Sequence, residues 1–114
     1  MIAVLFELDV ENKQEPLYFD WAARLKDQLS AVDGFVSVER FQSLSRPGCY
    51  LSLSYWRDEQ SVRLWRATGA HRAAQQAGRD GLFTDYRLRV AAVLRDYGLR
   101  DRAQAPGDSL QALR

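Results

Sequence analysis

Of the 114 residues only one is cysteine, one is histidine, one is methionine and three are proline. A single cysteine, Cys49, cannot close an internal disulfide, so no disulfide framework staples this chain. One histidine and one cysteine cannot build a closed zinc site, and no metal is expected. No apolar run approaches the roughly 18–20 residues that span a bilayer, which excludes a membrane helix. Charge of one sign is not in excess: sixteen Lys and Arg face fifteen Asp and Glu, a net of +1. Such a chain lacks the bulk attraction to phosphate backbones that nucleic-acid binders show. A glycine-rich phosphate loop and a local serine or cysteine nucleophile motif are both missing. Residues 1–7 carry no basic stretch of the kind that opens a secretory signal. With the lone thiol, this predicts a reducing, cytoplasmic setting.

What is present is an ordinary globular composition, 46% hydrophobic and 27% charged, which argues against disorder and fits one domain. In residues 2–10, Ile2, Val4, Phe6, Leu8 and Val10 alternate with Ala3, Leu5, Glu7 and Asp9, the period of a strand. Pro16 is placed to open a helix over residues 17–32. There Tyr18, Ala22, Leu25, Leu29 and Val32 form one apolar stripe, and Asp33-Gly34 reads as its stop. Residues 35–44 and 49–56 read as a hairpin around Pro47-Gly48, and Cys49 as a buried structural thiol. Asp58 is placed to cap a helix over residues 59–67. Gly69 interrupts, and residues 70–78 continue as an alanine-rich helix. Residues 82–97 read as a long last strand. The expected domain is residues 1–97, with residues 98–114 as a loose or docking tail in which Leu110 and Leu113 are the candidate anchors.

The order β-α-β-β-α-β predicts an α+β, ferredoxin-like fold with an antiparallel sheet. Helices cover one face of such a sheet, yet these strands are apolar on both: Leu51, Leu53 and Tyr55 oppose Tyr50 and Trp56. A large uncovered apolar face marks an interface, and the simplest cover is the sheet of a second copy in a homodimer. Charge is uneven along the chain. Residues 1–56 carry five basic and eight acidic groups, whereas residues 57–102 carry ten basic, all arginine, and six acidic. The plain reading is a solvated helix and strand edge; the alternative is an anionic ligand or an acidic surface.

Residues 54–65 are distinctive. The strand ends on Tyr55-Trp56, Asp58 caps, and a short helix closes on Trp65, nine positions after Trp56. His71, Ala73-Ala74-Gln75, Gly78-Arg79 and residues 83–90 follow. Together these segments resemble the antibiotic biosynthesis monooxygenase family, the dimeric α+β barrels, over about residues 2–97. The resemblance implies a pocket between sheet and helices in each subunit of a homodimer. It also implies oxygenation of a small aromatic or polyketide-like compound by O2 with no metal, flavin or other cofactor. Trp65 matches the family's pocket tryptophan. His71, the only histidine, is the natural proton carrier, with an intrinsic pKa near ~6.5. On a continuous helix it would sit about 240° away from Trp65, so the two meet only if the chain bends at Gly69. Arg79 is a candidate for binding phenolate or carboxylate, with a salt bridge to Asp80 or Asp85 as the plainer role. Phe6, Phe41, Tyr55 and Phe83 are core candidates first and substrate contacts second. Heme degradation, also found among the relatives, is disfavoured: Gln75 stands where those members have a ligating histidine, and Phe6 or Glu7 where they have asparagine. A non-catalytic small-molecule-binding barrel and a protein-interaction module are the remaining rivals.

Overall fold

The computed structural model describes residues 1–112. The alternating amino-terminal segment forms β1 (Ile2–Asp9), and a short 3-10 turn, Asn12–Gln14, leads into α1 (Glu15–Ser30) with Pro16 in its first turn. The hairpin strands are β2 (Phe35–Gln42) and β3 (Cys49–Trp56). Two short helices follow, α2 (Glu59–Arg66) and α3 (Gly69–Ala77), and then β4 (Asp85–Ala92). The four strands form one sheet in the order β2-β3-β1-β4, each pair antiparallel. This is the α+β, ferredoxin-like architecture that the element order predicts.

Register fixes the two faces of the sheet, because directly paired residues project to the same side. Leu8 lies opposite Tyr50 on β3 and Tyr86 on β4. With Val10 and Tyr18 of α1, Leu8 and Tyr50 make the buried core, and Phe6, Leu82 and Phe83 pack against it. The helices therefore cover the face that carries Phe6, Leu8, Tyr50 and Trp56. The open face carries Leu5, Leu51, Leu53, Tyr55 and Phe41. At one end of it Arg89 pairs with Glu7 at 3.1 Å and Arg46 with Asp9 at 3.1 Å.

Three boundaries differ from the sequence reading. Gly34 does not cap α1, whose backbone stays right-handed through Ala31; its φ of +90° instead turns the chain into β2. The last strand does not run over 82–97. Leu82 belongs to a π-turn, Gly78–Leu82, that closes α3. At the other end β4 stops at Ala92, opposite Ile2, because β1 offers no further partner beyond a single Val93 N–H to Met1 carbonyl bond. After Gly98 the chain makes local contacts. Gln104 Oε1 accepts from the Asp96 N–H, Arg102 donates to the Gly98 and Ser109 carbonyls and lies over the Tyr97 ring, and α4 (Gly107–Ala112) ends the described chain. Leu113 lies outside the described residues.

Candidate functional site

The candidate site lies at the break between α2 and α3. Asp58 caps α2: its carboxylate accepts from both the N–H and the hydroxyl of the fully buried Ser61, each at 2.9 Å. These bonds hold the Asp58 carboxyl below its ordinary range, the backbone bond first. Arg57 ties this end down, donating to Asp33 beyond α1 and to Asp58. Val62 is buried and Trp65 half-buried on the inward side of α2, as the apolar spacing requires.

The bend is made by Thr68, not by Gly69. Thr68 is extended (φ −77°, ψ 152°) and Gly69 is already the first residue of α3. The Thr68 hydroxyl donates to the Trp65 carbonyl at 2.8 Å and accepts from the His71 N–H at 3.1 Å. One side chain thus joins the last turn of α2 to the first turn of α3. As a result the Trp65 and His71 rings meet edge to face, with centroids 5.6 Å apart and planes at 73°. A threonine just before an alanine-rich helix is an N-cap signal present in the sequence.

His71 is half-buried. Its pKa lies below the ordinary histidine value, first because burial disfavours the imidazolium and second because the Arg66 charge is close. The ring nitrogens have no hydrogen-bond partner among the described residues, and neither is sealed off from solvent. Such an imidazole is neutral near pH 7 and free to take a proton.

A second aromatic group lies on the same sheet face. Phe6, Phe83 and Tyr86 pack with centroids 5.5–5.8 Å apart. Phe83 fits because position 78 is glycine; a Cβ there would stand closer than 3.0 Å to the ring. Gly78 is the far end of α3 from His71, so about 10 Å of helix rise separates the two groups. On β4, Tyr86, Leu88 and Val90 are 60%, 53% and 47% exposed, so no helix among the described residues shields that row.

Not all of the sequence candidates gather here. Trp65 and His71 come together, and Phe6 and Phe83 come together beneath the other end of α3. Phe41 and Tyr55 lie on the open face, across the sheet from the helices, because β2 and β3 present them opposite Leu51 and Ala3. Arg79 is exposed and makes no hydrogen bond or ion pair among the described residues. The expected partners are engaged elsewhere: Asp80 accepts from Gln76, and Asp85 from the Tyr86 N–H. Gln75 is exposed. Cys49 is buried, and burial raises its thiol pKa, the mark of an unreactive structural thiol. Two hollows on the open face, ≈ 120 and ≈ 270 Å³, share Glu7, Arg46 and Cys49. They are open troughs beside ion pairs and hold no proton carrier comparable to His71. Sequence reasoning passed over Thr68 and Tyr86, the first detectable from its capping position and the second only from its packing against Phe6 and Phe83.

Comparison with known proteins places this fold. The family model of the antibiotic biosynthesis monooxygenases matches residues 1–77. A jasmonate monooxygenase of Pyricularia oryzae is 48% identical over 93 residues, 82% of this chain but 43% of that protein. The chain therefore spans less than half the length of that relative. Among solved structures, a protein of Deinococcus radiodurans assigned to the antibiotic biosynthesis monooxygenases superposes with a TM-score of 0.79 at 15% identity, over 87% of this chain and 98% of its own. SnoaB of Streptomyces nogalater, a cofactor-independent oxygenase, superposes with a TM-score of 0.73 at 14% identity, over 83% and 94%. At such identities the two structures speak for the fold alone. The family match and the 48% identity carry the conclusion that the chain belongs to the antibiotic biosynthesis monooxygenase family.

Proposed function

We propose that the protein is a cofactor-independent monooxygenase acting on a small aromatic or polyketide-like compound. In this reading Trp65 walls the site and His71 is its acid and base. The observation that carries it is the Trp65–His71 contact: a flat apolar wall against a neutral imidazole with both nitrogens unpartnered. The Pyricularia relative, named a jasmonate monooxygenase, supports a small organic substrate and oxygen chemistry.

The reaction begins with removal of a proton from an activated C–H or O–H by the His71 imidazole. The resulting carbanion passes one electron to O2, and substrate radical and superoxide recombine to a peroxide anion, which takes the proton back from the His71 imidazolium to give the hydroperoxide. Loss of water leaves the carbonyl product, so one oxygen atom enters the substrate and the other leaves as water. Phe6 and Phe83 extend the apolar surface along α3, and Arg79, free of ion pairs, stands at its far end. The working unit is a homodimer closed across the open sheet face, where Leu5, Leu51, Leu53 and Tyr55 are only half-buried in the single chain. Phe41 and Tyr55 would then line the interface rather than the substrate site. The cytoplasm is its proposed compartment.

The test is turnover of a panel of anthrones, naphthols and quinols by wild type and His71→Ala. We expect the variant to fold and to lose about 10²–10⁴-fold in rate. Unchanged turnover would remove His71 from the mechanism. Ligand binding with no turnover by wild type would favour a non-catalytic binding barrel.

A further inference from the structure

Leu5, Leu51 and Leu53 occupy the middle of the open sheet face, and charge lies toward its two sides. Glu39 stands on β2, in one cross-strand row with Leu53, Leu5 and Arg89. Arg87 stands on β4, in the neighbouring row with Glu7, Leu51 and Phe41. Two ion pairs close within the face, Arg89 with Glu7 and Arg46 with Asp9, and Asp85 accepts from the Tyr86 N–H. Glu39 and Arg87 are exposed, and neither makes an ion pair among the described residues. They cannot pair with each other in one chain. β2 and β4 are opposite edges of the sheet, three strand spacings or about 14 Å apart.

An apolar centre with charge at its rim is the anatomy of a protein–protein contact. Two copies closed face to face with their strands aligned can be related by a two-fold axis across the strands or along them. An axis across the strands sets β4 over β4 and β2 over β2, so arginine faces arginine and Glu39 faces Glu39. An axis along the strands sets β2 of each copy over β4 of the other, and Glu39 then faces the arginine edge twice. Stacked sheets lie about 10 Å apart, a gap that a glutamate and an arginine reaching toward each other span. Like charges brought together oppose association, whereas opposite charges fix its register.

We infer that Glu39 and Arg87 form reciprocal ion pairs between two copies of this chain, one on each side of the shared face, and that these pairs set the dimer axis along the strands. This rests on the reading of the working unit as a homodimer closed across the open face, and adds its orientation and the charges that select it.

The test is sedimentation equilibrium of the full chain and of charge-reversed variants. Glu39→Arg and Arg87→Glu, each alone, should weaken dimerisation about 10-fold or more, because each brings two like-charge contacts into the dimer. An equimolar mixture of the two variants should recover wild-type affinity, since both contacts of the mixed dimer again join opposite charges. That recovery also shows that both variants fold. Arg72→Glu, exposed on α3 at the other sheet face, should leave dimerisation unchanged. Single variants as tight as wild type, no recovery in the mixture, or an equal loss in Arg72→Glu would overturn the inference and leave the dimer reading standing. A wild-type monomer at micromolar concentration would overturn the dimer reading and this inference with it.

Discussion

At the scale of the residue, three positions shape the candidate site. Thr68 holds Trp65 and His71 in one frame through two hydrogen bonds. Thr68→Ala should cost about 1 kcal/mol of stability, the ordinary loss of a threonine cap, measurable as a lower urea midpoint. Its turnover should fall further than that loss explains, because the two rings are no longer held together. Gly78 is needed by its neighbour: the Phe83 ring occupies the space of its missing Cβ. Gly78→Ala should destabilise by about 1–3 kcal/mol through overpacking, and a midpoint equal to wild type would show that Phe83 can move aside. His71 sets a pH dependence. Its folded pKa is depressed, so the unfolded chain binds the proton more readily. The neutral form's contribution is fully present above the unfolded pKa near ~6.5 and is lost as pH falls through the folded value. Comparing wild type with His71→Gln across that range, wild type should lose stability relative to the variant on acidification. The opposite trend would contradict burial of the ring.

At the scale of the element, the sequence was readable where one periodicity ruled. The stripe from Tyr18 to Leu29 turns inward, buried at Tyr18 and half-buried at Ala22, Leu25 and Leu29, the alternation in β1 sets Leu8 into the core, and Asp58 caps as its type and place require. Reading failed where the partner decides. Leu82 to Tyr97 alternates like a strand, yet β4 can run only as far as β1 runs beside it, and the chain after Ala92 hydrogen-bonds to itself. The bend between α2 and α3 was legible as a break but not as the act of Thr68, since glycine is the stronger local signal. Gly69 adopts no left-handed backbone, and a methyl placed there meets nothing within 4 Å. Gly69→Ala should therefore raise stability by about 0.4–1 kcal/mol, checked by denaturant titration, and keep turnover intact. Loss of the site in that variant would return the bend to glycine.

At the scale of the whole molecule, the chain is more extended than a compact domain of its length. Its radius of gyration of 16.5 Å exceeds the roughly 13 Å of a compact domain of this length. One helical layer serves one sheet face, and Phe41 at 43% exposure, with Leu51, Leu53 and Tyr55 beside it, is left for another surface. Leu53→Asp, in the middle of that face, should turn a dimer into a monomer in sedimentation at micromolar concentration, whereas a wild-type monomer would contradict the shared-sheet assembly. The apolar second face was legible from the strands of the sequence; the grouping of candidate residues was not. Phe41 and Tyr55 look equivalent to Phe6 and Phe83 in composition, and only register separates the two sides. The site itself depends on the pairing of Trp65 with His71 in the folded chain. Oxygen uptake by purified, metal-stripped protein with a panel of anthrones, naphthols and quinols tests that centre most directly, with heat-denatured protein and His71→Ala alongside. The account predicts uptake that needs folded protein and collapses in the variant; no uptake with any compound, or equal uptake by His71→Ala, would contradict it.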